Sequence, residues 1–181
     1  KKIDNKTDLN GDFSFSSENL VRNFNTNVFE KTNINDLIFS STPSITKKGF
    51  YNNYNFLIKN SNTDTQNSSN FKEDDNYYVS GIFQLNSSFP LIKENDNHKN
   101  ILKPNISLRL APNSTKNLRD EEKRIDVNNI YELNRISEND IIEGGVSVVY
   151  GSNYSIIDEK NSREIFNVKF ANNIRLENND D

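Results

Sequence analysis

The most constraining feature of this sequence is a long, regular alternation of apolar and polar residues. From Tyr77 to Leu91 most odd-numbered residues are apolar, and the residues between them are mostly polar, with Ile82 the clear exception. Side chains of a β-strand point to opposite faces in turn, so this period of two predicts a strand with one apolar and one polar face. The alternation lasts about fifteen residues, whereas a typical globular strand has only ~5–6.

The same alternation recurs along the chain and predicts seven strands. They lie near residues 11–24, 32–42, 48–60, 76–92, 103–112, 142–156 and 164–177. Long polar links occupy residues 61–75 and 113–140, and the other connections are shorter. The predicted fold class is therefore all-β, with about seven meandering antiparallel strands. Alternating short and long connections are typical of transmembrane β-barrels, which have short turns at one end and long loops at the other.

One stretch inside the second long link departs from the period of two. Between Ile125 and Ile136 the apolar residues recur at roughly helical spacing, and Asp126 stands where it can cap a helix. We therefore predict one short helical turn in this link.

A strand with one apolar face needs a cover for that face. A second sheet covers it in a soluble β-sandwich, whereas lipid chains cover it in a transmembrane barrel, whose polar face lines a lumen. Long strands and polar faces rich in Asn, Ser, Gln, Lys and Arg favour the barrel. Aromatic residues near strand ends, such as Phe89 and Tyr154, also favour it, because amphipathic rings prefer the membrane interface. A soluble sandwich or adhesin-type binding module is the alternative.

In the barrel interpretation, the apolar faces of four strands supply candidate lipid-facing residues. These are Val79, Phe83, Leu85, Ile106, Leu108, Leu110, Val146, Val148, Phe166, Val168 and Phe170. Hydrophobic residues make up only 33% of the chain, which suits a sheet with a single apolar face. Their exposure distinguishes the two interpretations, since a sandwich would bury them.

The composition leaves little material for catalysis or metal binding. The chain has no Cys and one His, His98, which we place in a polar turn. A catalytic triad, as in an outer-membrane lipase, or a multi-histidine zinc site needs more than this. No glycine-rich phosphate loop and no basic stripe for nucleic acid is present. We therefore predict no enzyme activity, no catalytic or metal-binding residues, no cofactor and no nucleic-acid partner.

Three stretches resemble a known family. The run Lys103–Arg109 (KPNISLR), followed by Ala111-Pro112, resembles one barrel strand of the LptD family of lipopolysaccharide-assembly proteins, also called organic solvent tolerance proteins. Arg124–Arg135 (RIDVNNIYELNR) resembles the loop after that strand. Asp140–Gly145 and Tyr150-Gly151 resemble the start and middle of the next strand. The resemblance is most specific over residues 103–151.

This resemblance implies a β-barrel of the Gram-negative bacterial outer membrane that inserts lipopolysaccharide into the outer leaflet. The implied partners are lipopolysaccharide, an LptE-like plug lipoprotein, outer-membrane lipids, and a periplasmic lipopolysaccharide bridge that acts through a domain absent from this chain. The chain has no Met and starts at Lys1. We therefore expect residues 1–181 to be an internal part of the C-terminal barrel domain.

The resemblance also suggests roles for polar residues. Arg109, Lys169 and Arg175 are candidate lumen-facing residues, which would meet the phosphates and sugar acids of lipopolysaccharide or else pair with each other or with the plug. The candidate loop-structuring residues are Arg124, Asp126, Asn129, Arg135, Asp140 and Glu143. Their mixed charges suit a loop that folds on itself as a cap over the barrel mouth, and direct contact with the substrate is the alternative.

Overall fold

The long strands pair in the order in which they occur in the chain. The computed structural model describes residues 10–24, 27–68, 76–112, 125–136 and 142–176. These residues form one antiparallel sheet and no helix. Its strands are β1 (Gly11–Phe24), β2 (Val28–Ser41), β3 (Ser44–Ile45), β4 (Tyr51–Gln66), β5 (Asn76–Ser88), β6 (Leu91–Glu94), β7 (His98–Ala111), β8 (Gly145–Asp158) and β9 (Arg163–Arg175). The order across the sheet is β1-β2-β4-β5-β7-β8-β9, and the short β3 and β6 pair with β4 and β7. The predicted all-β antiparallel meander is confirmed.

Several strands extend beyond the predicted bounds. The predicted loop 61–75 is wrong for residues 61–66, because β4 continues through them in register with β2. β2 likewise starts at Val28 instead of residue 32, and Val28 is paired with Phe24 of β1. Ladder hydrogen bonds join backbone groups, so the ladder persists where the apolar alternation has ended. His98 begins β7 instead of lying in a turn.

The structure also tests the predicted strand 76–92 and the predicted helical turn in the long link. The predicted strand 76–92 is interrupted at Phe89-Pro90, where proline has no N–H for the ladder, and resumes as β6. In the long link, Ile130 N–H donates to the carbonyl oxygen of Asp126 at 3.0 Å, so a single turn forms and no helix continues from it. Residues 113–124 and 137–141 of that link lie outside the described residues.

One face of the sheet, here called the apolar face, has no second sheet against it in the described part of the chain. A single cross-strand row on this face contains Phe13, Phe39, Phe56, Phe83, Leu110 and Val146. Phe83 is 36% exposed and Phe170 is 59% exposed. Of the eleven candidate lipid-facing residues, none is buried, and Leu108, Val146 and Val148 are half-buried. The described residues therefore do not form a sandwich.

The opposite face, here called the covered face, carries a small apolar core. Leu57, Ile82 and Ala111 of the sheet are buried together with Ile142 of the long link, and Leu133 of the same link packs against them. Ile82 is fully buried there. The exception in the alternation of β5 is thus the place where the link folds back onto the sheet.

Gly151 of β8 lies on the covered face, directly beneath this link. A Cβ atom at Gly151 would overlap the backbone oxygen of Phe170 and would lie 2.6 Å from the Tyr131 hydroxyl. At Gly81 of β5, the nearest atom to an added Cβ is the Leu57 backbone oxygen at 3.6 Å, an ordinary contact. A methyl group therefore fits at Gly81 and does not fit at Gly151.

We predict that Gly151→Ala destabilises the folded protein by about 1–3 kcal/mol, the usual cost of overpacking. Gly81→Ala is the matched control, and it should leave stability unchanged or slightly increased, because alanine restricts the unfolded chain. The free energies of unfolding are to be measured by urea titration of the protein in detergent micelles. Equal values for the two variants would contradict this account of Gly151.

Candidate functional site

The candidate site lies on the covered face, beneath residues 125–136 and 142–144, here called the covering segment. This segment bonds to three strands of the sheet. Gln84 Nε2 of β5 donates to the Tyr131 carbonyl oxygen at 2.8 Å. Arg135 Nη2 donates to Ser147 Oγ of β8 at 2.9 Å. Lys169 Nζ of β9 donates to Asn128 Oδ1 at 3.0 Å.

The covering segment begins with a capped turn. Asp126 Oδ1 accepts the backbone N–H groups of Asn128 at 2.7 Å and of Asn129 at 3.3 Å. In return, Asn129 Oδ1 accepts the backbone N–H of Asp126 at 2.8 Å. These bonds satisfy donors that the start of a turn leaves open. Because they fix the backbone locally, the segment presents Tyr131 and Arg135 to the sheet in defined positions.

Sheet register brings the charged side chains of the site together. Arg109 of β7 is the cross-strand partner of Ser147 in β8, and Ser147 is the partner of Arg175 in β9. The three residues therefore form one row on the covered face. Arg135 and Glu143 of the covering segment lie over this row. We call Arg109, Arg135, Arg175 and Glu143 the arginine cluster.

Glu143 is the centre of the arginine cluster. Its Oε1 lies 2.7 Å from Arg175 Nη2, in a hydrogen-bonded ion pair. Its Oε2 lies 2.8 Å from Arg135 Nε, a close ion pair that is not aligned as a hydrogen bond. The Arg109 Nη1 atom is farther away, at 3.9 Å from the same oxygen. Three guanidinium groups thus share one carboxylate, which leaves a formal charge of +2 on the cluster.

Arg109 is the least satisfied member of the arginine cluster. Its residue exposure is 1%, and within the described part of the chain none of its three guanidinium nitrogens has a hydrogen-bond partner. Burying a charge without hydrogen bonds costs free energy. Among the described residues, the Arg109 guanidinium therefore lies buried without a hydrogen-bonded acceptor.

Burial also affects the titration of groups in the covering segment. It lowers the pKa of the Arg135 guanidinium, while the carboxylate of Glu143 opposes this by favouring the charged form. Burial raises the pKa of the Tyr131 hydroxyl. Arginine stays protonated in proteins, so the site remains cationic at neutral pH and Tyr131 remains uncharged.

The structure places most of the sequence-predicted site residues on the covered face. Arg109 and Arg175 meet Arg135 and Glu143, whereas Lys169 lies apart and bonds to Asn128. Arg124 and Asp140 lie outside the described residues. Sequence reasoning missed three polar partners, and these are Gln84, Ser147 and Asn173, whose Oδ1 accepts a bond from Arg135 Nη1 at 3.4 Å. The apolar exception at Ile82 was the available signal, since it marks the place where the link packs.

Metal-binding clusters and membrane-spanning helices are absent from the described residues. No group of three or more His, Cys, Asp or Glu residues there could hold a metal ion. No helix of the described part is long and apolar enough to cross a membrane.

We predict that Glu143→Gln destabilises the protein, because it leaves three arginines without their shared carboxylate. Removing one partner of a buried ion pair costs about 3–5 kcal/mol, and the Arg175 contact contributes less of this because that side chain is 44% exposed. Glu132→Gln is the control, since Glu132 is an exposed residue of the same segment. Urea unfolding in detergent should separate the two variants, and a midpoint unchanged by Glu143→Gln would show that the cluster does not hold the segment.

Comparison with known proteins identifies the family. The family model described as LptD, LPS transport system D, matches residues 5–181. In a comparison with curated proteins, none matches the chain. Proteins of the matched family are outer-membrane components of lipopolysaccharide transport and assembly, and the family is not one of enzymes. The match covers nearly the whole chain, and the antiparallel sheet agrees with a β-barrel segment. The chain therefore belongs to the LptD family of lipopolysaccharide transport proteins.

Proposed function

We propose that this chain is part of an outer-membrane translocon that inserts lipopolysaccharide into the outer leaflet. The observation that carries the proposal is the contrast between the two faces of the sheet. Each of the seven long strands exposes apolar side chains on the apolar face, whereas the opposite face is polar, is partly covered by the chain's own segment and holds the arginine cluster. A barrel wall between lipid and an aqueous lumen has one apolar and one polar face in this way.

In this proposal, residues 1–181 are part of a C-terminal barrel domain that closes with further strands. Closure would pair the outer edges of β1 and β9, which have no strand partner among the described residues and would otherwise expose unpaired backbone groups. The remaining proposed partners are an LptE-like plug lipoprotein in the lumen and a periplasmic bridge that supplies lipopolysaccharide. Outer-membrane lipids would contact the eleven candidate lipid-facing residues.

Within the lumen, we propose a division of roles among the polar residues. Asp126, Asn129, Arg135 and Glu143 structure the covering segment through the contacts described above, as Arg124 and Asp140 would in the adjoining parts of the link. Arg109, Lys169 and Arg175 face the lumen side. Arg109 supports a role beyond structure, because its charge lacks hydrogen-bond partners among the described residues. Arginine binds phosphate well, and lipopolysaccharide carries phosphates.

The membrane assignment predicts that a charge on the apolar face is costly only within the bilayer. Val168→Lys should destabilise the protein in lipid vesicles by ~2–4 kcal/mol, and Val21→Lys by ~0–1 kcal/mol. Both valines are exposed on the apolar face, but Val21 lies beyond the apolar rows of β1. The free energies are to be measured by urea unfolding from vesicles. Small and equal costs would indicate a sheet in water and would contradict the proposal.

The proposed role of Arg109 predicts that function and stability separate at this position. Arg109→Met should leave stability unchanged or raised, because an apolar side chain of similar volume replaces a buried, unsatisfied charge. The same variant should slow the arrival of newly made lipopolysaccharide at the cell surface in pulse-labelled cells that depend on the variant. Lys160→Met, in the exposed turn between β8 and β9, is the control. Normal delivery by Arg109→Met would restrict Arg109 to a structural role.

A further inference from the structure

The apolar face changes character abruptly on β1, β2 and β4. One cross-strand row on this face is apolar and contains Phe15, Leu37 and Ile58. The next two rows are polar and contain Ser17, Asn19, Asn33, Asn35, Asn60 and Asn62, here called the amide patch. Rows on one face follow each other at ~7 Å along a strand. The amide patch therefore lies immediately beyond the apolar rows, on the same side of the sheet.

The side chains of the amide patch bond to one another. Asn35 Nδ2 donates to Asn33 Oδ1 at 2.6 Å and to Asn60 Oδ1 at 3.3 Å. Asn62 Nδ2 donates to the same two oxygens, at 3.2 Å and 2.8 Å respectively. Ser17 Oγ donates to Asn35 Oδ1 at 2.7 Å. Because these bonds cross three strands, they hold the amides in fixed positions on the surface.

The amide patch keeps hydrogen-bonding capacity for a ligand. Asn19 donates to Ser17, and Asn33 donates to Asn19. Each of these amide nitrogens carries two hydrogens, so one hydrogen on each is not used within the patch. Asn19 is exposed and Asn33 is half-buried. The patch thus offers fixed donors and acceptors to the outside.

An exposed aromatic ring borders the amide patch. Tyr77 of β5 is the cross-strand partner of Asn62 and is 80% exposed. Its ring adds apolar surface with a polar end. Amides beside an aromatic ring suit a sugar, whose hydroxyl groups hydrogen-bond while its C–H groups pack on the ring. The patch contains no cation, and the next row pairs Lys31 with Asp64, so a phosphate finds no net positive charge there.

The amide patch also lies at the end of the sheet where the long connections are. It is near the ends that lead into residues 67–75, and residues 112–144 connect two other strands at that same end of the sheet. The connection of residues 159–162 is at the opposite end. Membrane barrels of this kind place their long loops outside the cell. The patch then lies at the level of the outer-leaflet headgroups.

We propose that the amide patch, with Tyr77, binds the core sugars of lipopolysaccharide in the outer leaflet around the barrel. This site is on the opposite face of the sheet from the arginine cluster, so it would bind resident lipid and not the molecule in transit. The inference rests on the proposed function, because that function places the apolar face in the outer membrane.

The test is site-specific photo-crosslinking from Val21, which is 65% exposed and adjoins the patch on the same face. The full-length protein carrying benzoylphenylalanine at Val21 is placed in phospholipid vesicles with lipopolysaccharide that has its core sugars. A parallel set of vesicles contains lipid A, which keeps the phosphates and lacks the core sugars. The measured quantity is the yield of the lipid adduct after illumination.

We expect a strong adduct with the core-bearing lipid and a weak one with lipid A. Asn33→Ala/Asn62→Ala should lower the first yield about fivefold, the effect of roughly one net hydrogen bond. Asn95→Ala/Asn97→Ala, two exposed residues at the opposite end of the sheet, should leave it unchanged. Tyr77→Ala should also lower the yield. Because the Tyr77 side chain makes none of the hydrogen bonds described above, this variant provides the test if the double variant does not fold.

Equal adduct yields with both lipids, or an unchanged yield in both the double variant and Tyr77→Ala, would overturn the inference. A protein adduct in place of lipid, in isolated outer membranes, would also overturn it. If the proposed function is wrong, Val168→Lys should instead cost no more free energy of unfolding in lipid vesicles than Val21→Lys does. If that cost is present while the adduct is absent, only the saccharide site is refuted.

Discussion

The uncovered apolar face is the constraint on which the rest of this structure depends. Aromatic side chains on this face pack side by side, as Phe39 does against Phe13 and Tyr54, at ring separations of 4.7 and 5.7 Å. Burial of apolar surface is the main driving force of folding. The described part of the chain supplies little of that burial on this face. In the proposed function, membrane lipid supplies this burial, and the polar face with its covering segment lines the lumen.

The strands were predictable from sequence because the two-residue alternation of apolar and polar side chains marks both a strand and its two faces. Alternation placed Phe83 and Phe170 on one face and Arg109 and Arg175 on the other, and parity alone decides that choice. The prediction failed where the backbone ladder outlasts the alternation, as it does from Ser61 to Gln66. In that stretch the ladder continues across polar side chains, including Asn62, which is in register with Asn33. A pattern of hydrophobicity contains no information about such a stretch.

The candidate site was less predictable, because it depends on register and on a folded-back link. Arg109 and Arg175 meet because both flank Ser147 across the sheet, and no feature of the sequence fixes that pairing. Glu143 joins them only because the covering segment returns over the sheet. The amide patch was missed for a different reason. Asparagine is abundant throughout the chain, so a cluster is recognisable only when three strands are aligned.

The arginine cluster has a consequence for the order of assembly. Its members come from β7, from the covering segment and from β9, and Arg175 joins only when β9 has paired with β8. Before that step, Glu143 has two of its three arginines, and the segment is held by fewer contacts. Docking of the segment and addition of β9 are therefore coupled. In the proposed barrel, this coupling would keep the lumen open to a plug protein until β9 has been added.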